Sequence, residues 1–168
     1  KSMNSHCLSL IERTAQHLLR PKRKFVRTKS RFHLLDWMAC VASGKQSHMG
    51  RIRGAVANFG ATDEAICDRA VWLGNVMELD DVHRQALLHP GPVVWPAALS
   101  VLGPNGSDEL DDVLDAGING YEAMIRIGAT WDAQHYRYWH NTSTAGHFGT
   151  AAAAATMLGA DQDQMVSA

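Results

Sequence analysis

Two segments of this 168-residue sequence combine side chains that could move protons and hold an anion. Residues 78–91 contain three carboxylates and two imidazoles within twelve positions: Glu78, Asp80, Asp81, His83 and His89. Imidazole is the side chain most easily poised for proton transfer near neutral pH. Paired carboxylates separate each other's pKa values or hold a histidine in one tautomer. This segment therefore has the groups that an acid–base site needs.

The second segment, residues 138–149, gathers a histidine, hydroxyl groups and a glycine at the start of a predicted helix: His140, Thr142, Ser143, Thr144 and Gly146. The first turn of a helix offers free N–H groups and the positive end of the helix dipole, and both suit a carboxylate. Together the two segments could supply a base, an acid and a cradle for an anionic substrate.

Other interpretations of the same residues stay open at this point. Acidic side chains near a helix end are usually solvated, and a single histidine is more often a structural residue than a catalytic one. Asp80, His83 and His89 are also permitted metal ligands, yet no HExxH or paired-cysteine spacing accompanies them. No glycine-rich phosphate-binding motif occurs either.

Helical periodicity dominates the first half of the chain. Apolar residues recur at helical spacing over 8–19 and again over 32–42, where Gly44 is expected to end the helix. The expected buried face of the second helix is Phe32, Leu35, Met38, Ala39 and Ala42. Thr62 is expected to cap a further helix that reaches Met77.

Three more helices are predicted after the acidic segment. A short one opens at Pro96 and ends at residues 103–106. Ser107 is expected to cap a longer helix with this buried stripe: Leu110, Leu114, Gly117, Tyr121, Ile125 and Gly128. Residues 144–158 form a helix of small side chains that Gly159 closes, and its glycines imply close contact with another helix.

Strand signals are almost absent from the sequence. They are confined to residues 93–95, which are too few for a sheet, and residues 131–142 are expected to form a loop. The sequence therefore predicts one all-α domain over residues 1–168. A capping-box spacing from Asp161 to Gln164 starts another helix near the last residue. With a first residue that is not methionine, this favours a piece of a longer protein.

The net charge of −1 hides an uneven distribution. Residues 1–53 carry twelve basic and two acidic side chains, a net +10, and the remainder carries a net −11. The basic run at residues 22–31 could bind nucleic acid, but no helix-turn-helix or RNA-binding motif accompanies it. A solvated face, or contact with an acidic surface of this chain or a neighbouring subunit, is the favoured interpretation.

Composition excludes several classes of protein. No run of about twenty apolar residues is present, so we expect no membrane span, and the first residues do not read as a signal peptide. Three widely spaced cysteines favour reduced thiols in a cytoplasmic compartment.

In its motifs the sequence resembles the MmgE/PrpD family, which includes 2-methylcitrate dehydratases, cis-aconitate decarboxylases and iminodisuccinate epimerases. The resemblance rests on Glu78-Leu79-Asp80-Asp81-Val82-His83, then Leu88-His89-Pro90-Gly91 and Pro96-Ala97-Ala98-Leu99, and on Trp139-His140 through Phe148-Gly149. Gly120-Tyr121-Glu122 with Arg126 and Gly128 adds a third match, and Leu35-Asp36-Trp37 through Ala42-Ser43-Gly44 a weaker one. These matches follow the order of the family and cover most of residues 30–168.

The resemblance implies a helical domain, a homodimer, and catalysis on a small di- or tricarboxylic acid without metal or organic cofactor. It makes His89 and His140 active-site histidines and puts Glu78, Asp80 and Asp81 in the acidic cluster of the site. We expect substrate contacts from His83, Arg84, Thr142, Ser143 and Gly146. The resemblance also implies later helices and an α/β lid domain beyond residue 168. If these 168 residues are the whole molecule, another chain would have to complete the site.

Overall fold

The structure, a computed structural model, describes residues 8–56, 63–102 and 109–168, with the backbone alone for 53–56 and 63–67. These ranges contain nine helices and no β-strand, which confirms the all-α class. In chain order the helices are α1 (Leu10–Leu18), α2 (Lys24–Gln46), α3 (His48–Val56), α4 (Asp63–Asn75), α5 (Gly91–Ser100), α6 (Leu110–Gly128), α7 (Ala133–Tyr138), α8 (Asn141–Met157) and α9 (Gln162–Ser167). Within those ranges, none of the helices has the length and apolar character that crossing a bilayer requires.

The centre of the fold is the contact of α6 with α8, on which α5 also packs. A Cβ built on Gly120 would lie 2.9 Å from the carbonyl oxygen of Gly149 and 2.5 Å from Cγ1 of Val94. The absence of a side chain thus lets the two helix backbones approach each other, as the small residues of α8 predicted. Trp95 of α5 is fully buried beneath them, with its indole against Gly117.

Helix α2 differs from its prediction in extent and in orientation. It includes most of the basic run at its start and continues through Gly44, which is buried against the α4 backbone at Leu73. Its buried residues are Ser30, Trp37, Cys40 and Gly44. The expected buried face is wrong, because Phe32, Leu35 and Met38 are all more than half exposed, at 67%, 59% and 53%.

The basic run finds acidic partners within the chain. Arg27 forms a forked contact with Asp115, with Nε and Nη2 each 2.7 Å from a carboxylate oxygen, and its Nη1 lies 3.2 Å from Asp111. Arg31 Nη2 reaches the same Asp111 at 3.4 Å. These contacts join α2 to the acidic first turns of α6. Part of the basic N-terminal region therefore pairs with part of the acidic remainder of the same chain.

Residues 93–95, the expected strand-like stretch, lie inside α5. The helix begins at Gly91 instead of at Pro96, since Pro92 in its first turn needs no N–H partner. Burial on nearly all sides then outweighs the strand preference of two valines and a tryptophan. Residues 131–142 are likewise not a plain loop, because they contain α7 and the first residues of α8.

Other helix ends agree in part with expectation. The capping box of α9 is present, with reciprocal 2.9 Å hydrogen bonds between Asp161 and Gln164, and Gly159 closes α8 with a φ of 69°. Helix α6 starts at Leu110, which is exposed rather than buried. The expected caps Thr62 and Ser107 lie outside the described residues.

A candidate acid–base site between α4, α5 and α8

A cavity of about 390 Å³ lies between the end of α4, the start of α5 and the start of α8. Five of the residues singled out in the sequence line it: Glu78, His89, His140, Thr142 and Ser143. The remaining walls come from α4, from residue 76 and from the first turn of α5: Val71, Trp72, Asn75, Val76, Pro92 and Val93. The structure therefore brings the ends of the two chemically suggestive segments to one place.

The connection between α4 and α5 folds back on itself to place His89. The backbone N–H of His83 donates to the carbonyl of Leu88 at 2.9 Å, and the N–H of Ala86 donates to Nδ1 of His83 at 3.2 Å. Leu88 is fully buried in the core, and its burial anchors the segment that leads back towards Asp80. His89 follows directly and comes to lie beside Asp80, nine residues earlier.

Asp80 and His89 form a buried acid–imidazole pair. Nδ1 of His89 lies 2.9 Å from Oδ2 of Asp80, whose side chain is 1% exposed. Asn75 at the end of α4 donates to the same carboxylate at 3.2 and 3.3 Å. Burial raises the pKa of Asp80, and the hydrogen bonds from Asn75 and His89 lower it by less. A carboxylate on Nδ1 orients the imidazole and leaves Nε2 available for chemistry.

The start of α8 is joined to this pair through Thr142. The backbone N–H of His89 donates to Oγ1 of Thr142 at 3.0 Å, so the hydroxyl proton of Thr142 stays available to another acceptor. Asn141 anchors the turn by donating to the carbonyl of Ala86 at 2.7 Å. His140 is the N-cap residue of α8 and is exposed, with its ring 6.1 Å from that of Tyr136.

Glu78 lines the cavity in an uncommon backbone conformation. Its φ is 51°, in the left-handed region that costs a residue with a Cβ roughly 1–2 kcal/mol. The turn is held by the hydrogen bond from its N–H to the carbonyl of Asn75 at 2.8 Å. The residue is exposed as well as lining the cavity.

Asp81, expected in the same acidic cluster, faces the other side of the connection. Its Oδ2 accepts from Tyr121 at 2.8 Å and pairs with His33 at 3.0 Å, and its Oδ1 accepts from the N–H of Gly91 at 3.0 Å. Burial raises the pKa of Asp81, but these hydrogen bonds outweigh it and hold the pKa below the usual range. Asp81 thus contacts α2, α5 and α6 and does not line the cavity of His89.

Three further expected substrate contacts also lie outside the cavity wall. His83 is engaged in the turn described above, Arg84 is exposed on that turn, and Gly146 is buried in α8 against Val93. Asn75 and Trp72 also line the cavity, from α4, and were not expected there from the sequence. The sequence signal for Asn75 was its amide side chain, which stands five residues before Asp80 and can donate to a carboxylate. Among the described residues, no three His, Cys, Asp or Glu side chains are grouped so that they could hold a metal ion.

These contacts define what the cavity can do chemically. An imidazole oriented by a buried carboxylate has the chemistry of a general base, and the second imidazole that lines the cavity has the chemistry of a general acid. Hydroxyl groups and the N–H groups of the first turn of α8 lie beside them and suit an anionic group. The arrangement fits proton transfer on a small carboxylic acid.

A family model matches the part of the chain that holds the cavity. The family model described as the MmgE/PrpD N-terminal domain matches residues 71–168, which is more than half of the chain and includes every residue that lines the cavity. A comparison with curated proteins gives no match. On the family match, this chain belongs to the MmgE/PrpD family and carries its N-terminal domain over residues 71–168.

Proposed function

We propose that this chain contributes the acid–base half of a cofactor-independent lyase that dehydrates a small di- or tricarboxylic acid of the 2-methylcitrate type. The observation that carries the proposal is the 2.9 Å contact of buried Asp80 with Nδ1 of His89 in a cavity that His140 also lines. Family membership supports the same chemistry.

The proposed reaction removes the elements of water from the substrate. One of His89 and His140 takes the proton from the carbon next to a carboxylate. The C–O bond of the neighbouring hydroxyl breaks, and the electron pair of the C–H bond becomes the new carbon–carbon double bond. The other histidine protonates the departing hydroxide, so water leaves and the overall charge is conserved.

Substrate carboxylates are held at the start of α8 in this proposal. The hydroxyl proton of Thr142 is available because its oxygen accepts from His89, and Ser143 lies on the same rim of the cavity. The two N–H groups that open α8 add the positive end of a 17-residue helix. Glu78, an exposed carboxylate that lines the same cavity, disfavours a second anion beside it.

Two other reactions use the same base and the same anion contacts. A cis-aconitate-type decarboxylase loses carbon dioxide in place of hydroxide, and an iminodisuccinate-type epimerase returns the proton to the opposite face of the carbon. The products separate the three reactions: an unsaturated acid with water, carbon dioxide, or an inverted stereocentre. A homodimer or a second chain that completes the cavity also forms part of this proposal.

A function of another class has one observation in its favour. The outward face of α2 exposes Phe32, Leu35 and Met38, which is unusual for a helix already packed on its opposite face. A non-catalytic helical module that binds another protein through α2 would explain this exposure. Such a module has no need of the buried Asp80–His89 pair.

The decisive experiment is an assay of the assembled enzyme, this chain together with the chain that completes its cavity, with 2-methylcitrate as substrate. The ultraviolet absorbance of the unsaturated product is followed. Activity is expected in the native protein and is expected to fall at least a hundredfold in His140→Ala. His147→Ala is the matched control, since His147 lies on the same helix but lines a different cavity. Undiminished turnover in His140→Ala, or no turnover with any of the three substrates, would refute the proposal.

A further inference from the structure

A second cavity, of about 320 Å³, lies between α2 and α6 on the side of the molecule that Asp81 faces. Its base is aromatic, with Trp95 from α5 and Tyr121 from α6, and aliphatic side chains of α2 and α6 form its walls. None of its lining residues belongs to the cavity of His89. Its volume is at the lower end of the range for small-molecule sites.

The polar groups at the base of this cavity already have partners. The indole N–H of Trp95 donates to the hydroxyl of Tyr121 at 3.1 Å, and Tyr121 donates to Asp81 at 2.8 Å. Nδ1 of His33 lies 3.0 Å from the same carboxylate. An occupant therefore meets an apolar base whose hydrogen bonds are satisfied, and it needs no polar group on that end.

The cavity is also lined by two basic side chains, Arg126 and Lys29, and within the described ranges only the first is paired with a carboxylate. Arg126 is neutralised by Glu122 through a 2.6 Å contact. Lys29 has no carboxylate partner among the residues that the structure describes, and its ammonium lies 4.8 Å from the ring centre of Phe25. Lys29 and His33 stand four residues apart on α2, and both line this cavity.

We propose that this cavity binds a small aromatic or alicyclic monocarboxylate, with its ring against Tyr121 and the aliphatic walls, above the buried Trp95, and its carboxylate beside Lys29 and Nε2 of His33. The apolar base of the cavity favours a ring on the ligand. The positive charge of Lys29 and the imidazole of His33 favour one negative charge. A polycarboxylate is disfavoured because Glu122 and Asp81 would repel a second anionic group.

Binding at this site is expected to depend on pH through His33. Its hydrogen bond to Asp81 raises the pKa of His33 above 6.5. The charged or titratable groups around the ring are Lys29 and Asp36 on α2, Asp81 on the connection, and Tyr121, Glu122 and Arg126 on α6. Binding is therefore strongest when His33 is protonated and weakens as the pH rises through that pKa.

The probe is phenylacetate, titrated into the ¹⁵N-labelled chain while the indole N–H resonance of Trp95 is followed by NMR. The resonance, assigned with Trp95→Phe, is expected to shift with a dissociation constant on the order of a millimolar. Lys29→Gln is expected to weaken binding roughly five- to tenfold through loss of the charge-assisted contact. Lys24→Gln, an exposed lysine in the first turn of the same helix, is expected to leave it unchanged.

Two analogues and one variant make the test decisive. Acetate lacks the ring and 2-phenylethanol lacks the charge, so each is expected to bind more weakly than phenylacetate. His140→Ala is expected to bind phenylacetate normally, which separates this site from the proposed active site. Equal binding of phenylethanol, an unaffected Lys29→Gln variant, or no shift of the Trp95 resonance overturns the proposal, whatever the outcome of the dehydration assay.

Discussion

Asp80 and Asp81 are consecutive residues whose carboxylates lie on opposite sides of the connection between α4 and α5. Asp80 lies 2.9 Å from Nδ1 of His89 in the first cavity, and Asp81 lies 2.8 Å from the hydroxyl of Tyr121 beneath the second. Asp80 is held by Asn75 of α4 and by His89 of the connection, whereas Asp81 is held by side chains of α2 and α6. The pair therefore links the candidate acid–base site to the contact between α2 and α6.

The first prediction concerns the tautomer of His89. In Asp80→Asn a neutral amide replaces the carboxylate beside Nδ1 of His89. The amide oxygen accepts a weaker hydrogen bond than a carboxylate oxygen does. We expect ¹⁵N NMR to show the neutral imidazole mainly as Nδ1–H in the native protein and as a mixture of tautomers in the variant. Asp81→Asn is the control, because Asp81 does not contact His89. Identical tautomer populations in Asp80→Asn and in the native protein would contradict the assigned orientation.

The second prediction is a pH dependence of stability from Asp81 and His33. The pKa of Asp81 is lowered from 3.8, so its stabilisation is complete above pH 3.8 and is lost as the pH falls through the lower, folded value. The pKa of His33 is raised from 6.5, so its stabilisation is complete below pH 6.5 and is lost as the pH rises through the higher value.

Thermal unfolding across this pH range measures both effects. In Asp81→Asn, the differences in Tm from the native protein should shrink below pH 3.8 and again above the folded pKa of His33. His48→Gln, an exposed histidine of α3, should reproduce the native profile. Asp80 has the opposite effect on stability in acid. Burial raises its pKa, so its protonation as the pH falls favours the folded state. A Tm difference between Asp81→Asn and the native protein that does not vary with pH would exclude this pairing.

The third prediction tests the packing of α6 on α8. In Gly120→Ala the new methyl group would lie 2.9 Å from the carbonyl oxygen of Gly149 and 2.5 Å from Val94. Overpacking typically costs about 1–3 kcal/mol, which exceeds the gain of about 1 kcal/mol from alanine in a helix. Urea denaturation should therefore show a lower free energy of unfolding for Gly120→Ala.

Gly146→Ala is the matched control for this packing test. There the new methyl group meets only the side chain of Val93, with Cγ1 at 3.2 Å and Cγ2 at 3.9 Å, and no backbone atom of another described helix lies within 4 Å. The gain in helix propensity therefore offsets most of this milder crowding. We expect a stability close to native. A smaller loss in Gly120→Ala than in Gly146→Ala would be incompatible with the close approach of the two helices.

The fourth prediction assigns a structural role to Arg27. Lysine keeps the charge but cannot form the two parallel 2.7 Å contacts with Asp115. Arg27→Lys should therefore lower the urea midpoint, and the difference from the native protein should narrow at high salt. Lys24→Gln changes the charge of the same helix without touching α6 and should have little effect. Equal midpoints for Arg27→Lys and the native protein would show that the fork does not stabilise the fold.

Local sequence signals decided the class of fold and several helix ends. The capping box at Asp161 and the glycine at 159 act through contacts within a few residues, so the sequence alone predicts them. The choice of face on α2 depended on its neighbours. Both faces carry apolar side chains, and the close fit of Gly44 against α4 decides which face is buried.

The chemistry divides in the same way. The sequence determined that acids, histidines and hydroxyls cluster in two segments, and the resemblance assigned His89 and His140 to one site. Tertiary structure alone decided that Asp80 faces His89 while Asp81 faces Tyr121 and His33. Two adjacent aspartates have the same local preferences. Asp80 is directed by Asn75 and His89, which the fold of the connection brings beside it. Asp81 is directed by His33 and Tyr121 from helices distant in the chain. A buried carboxylate is tolerated only where such donors lie.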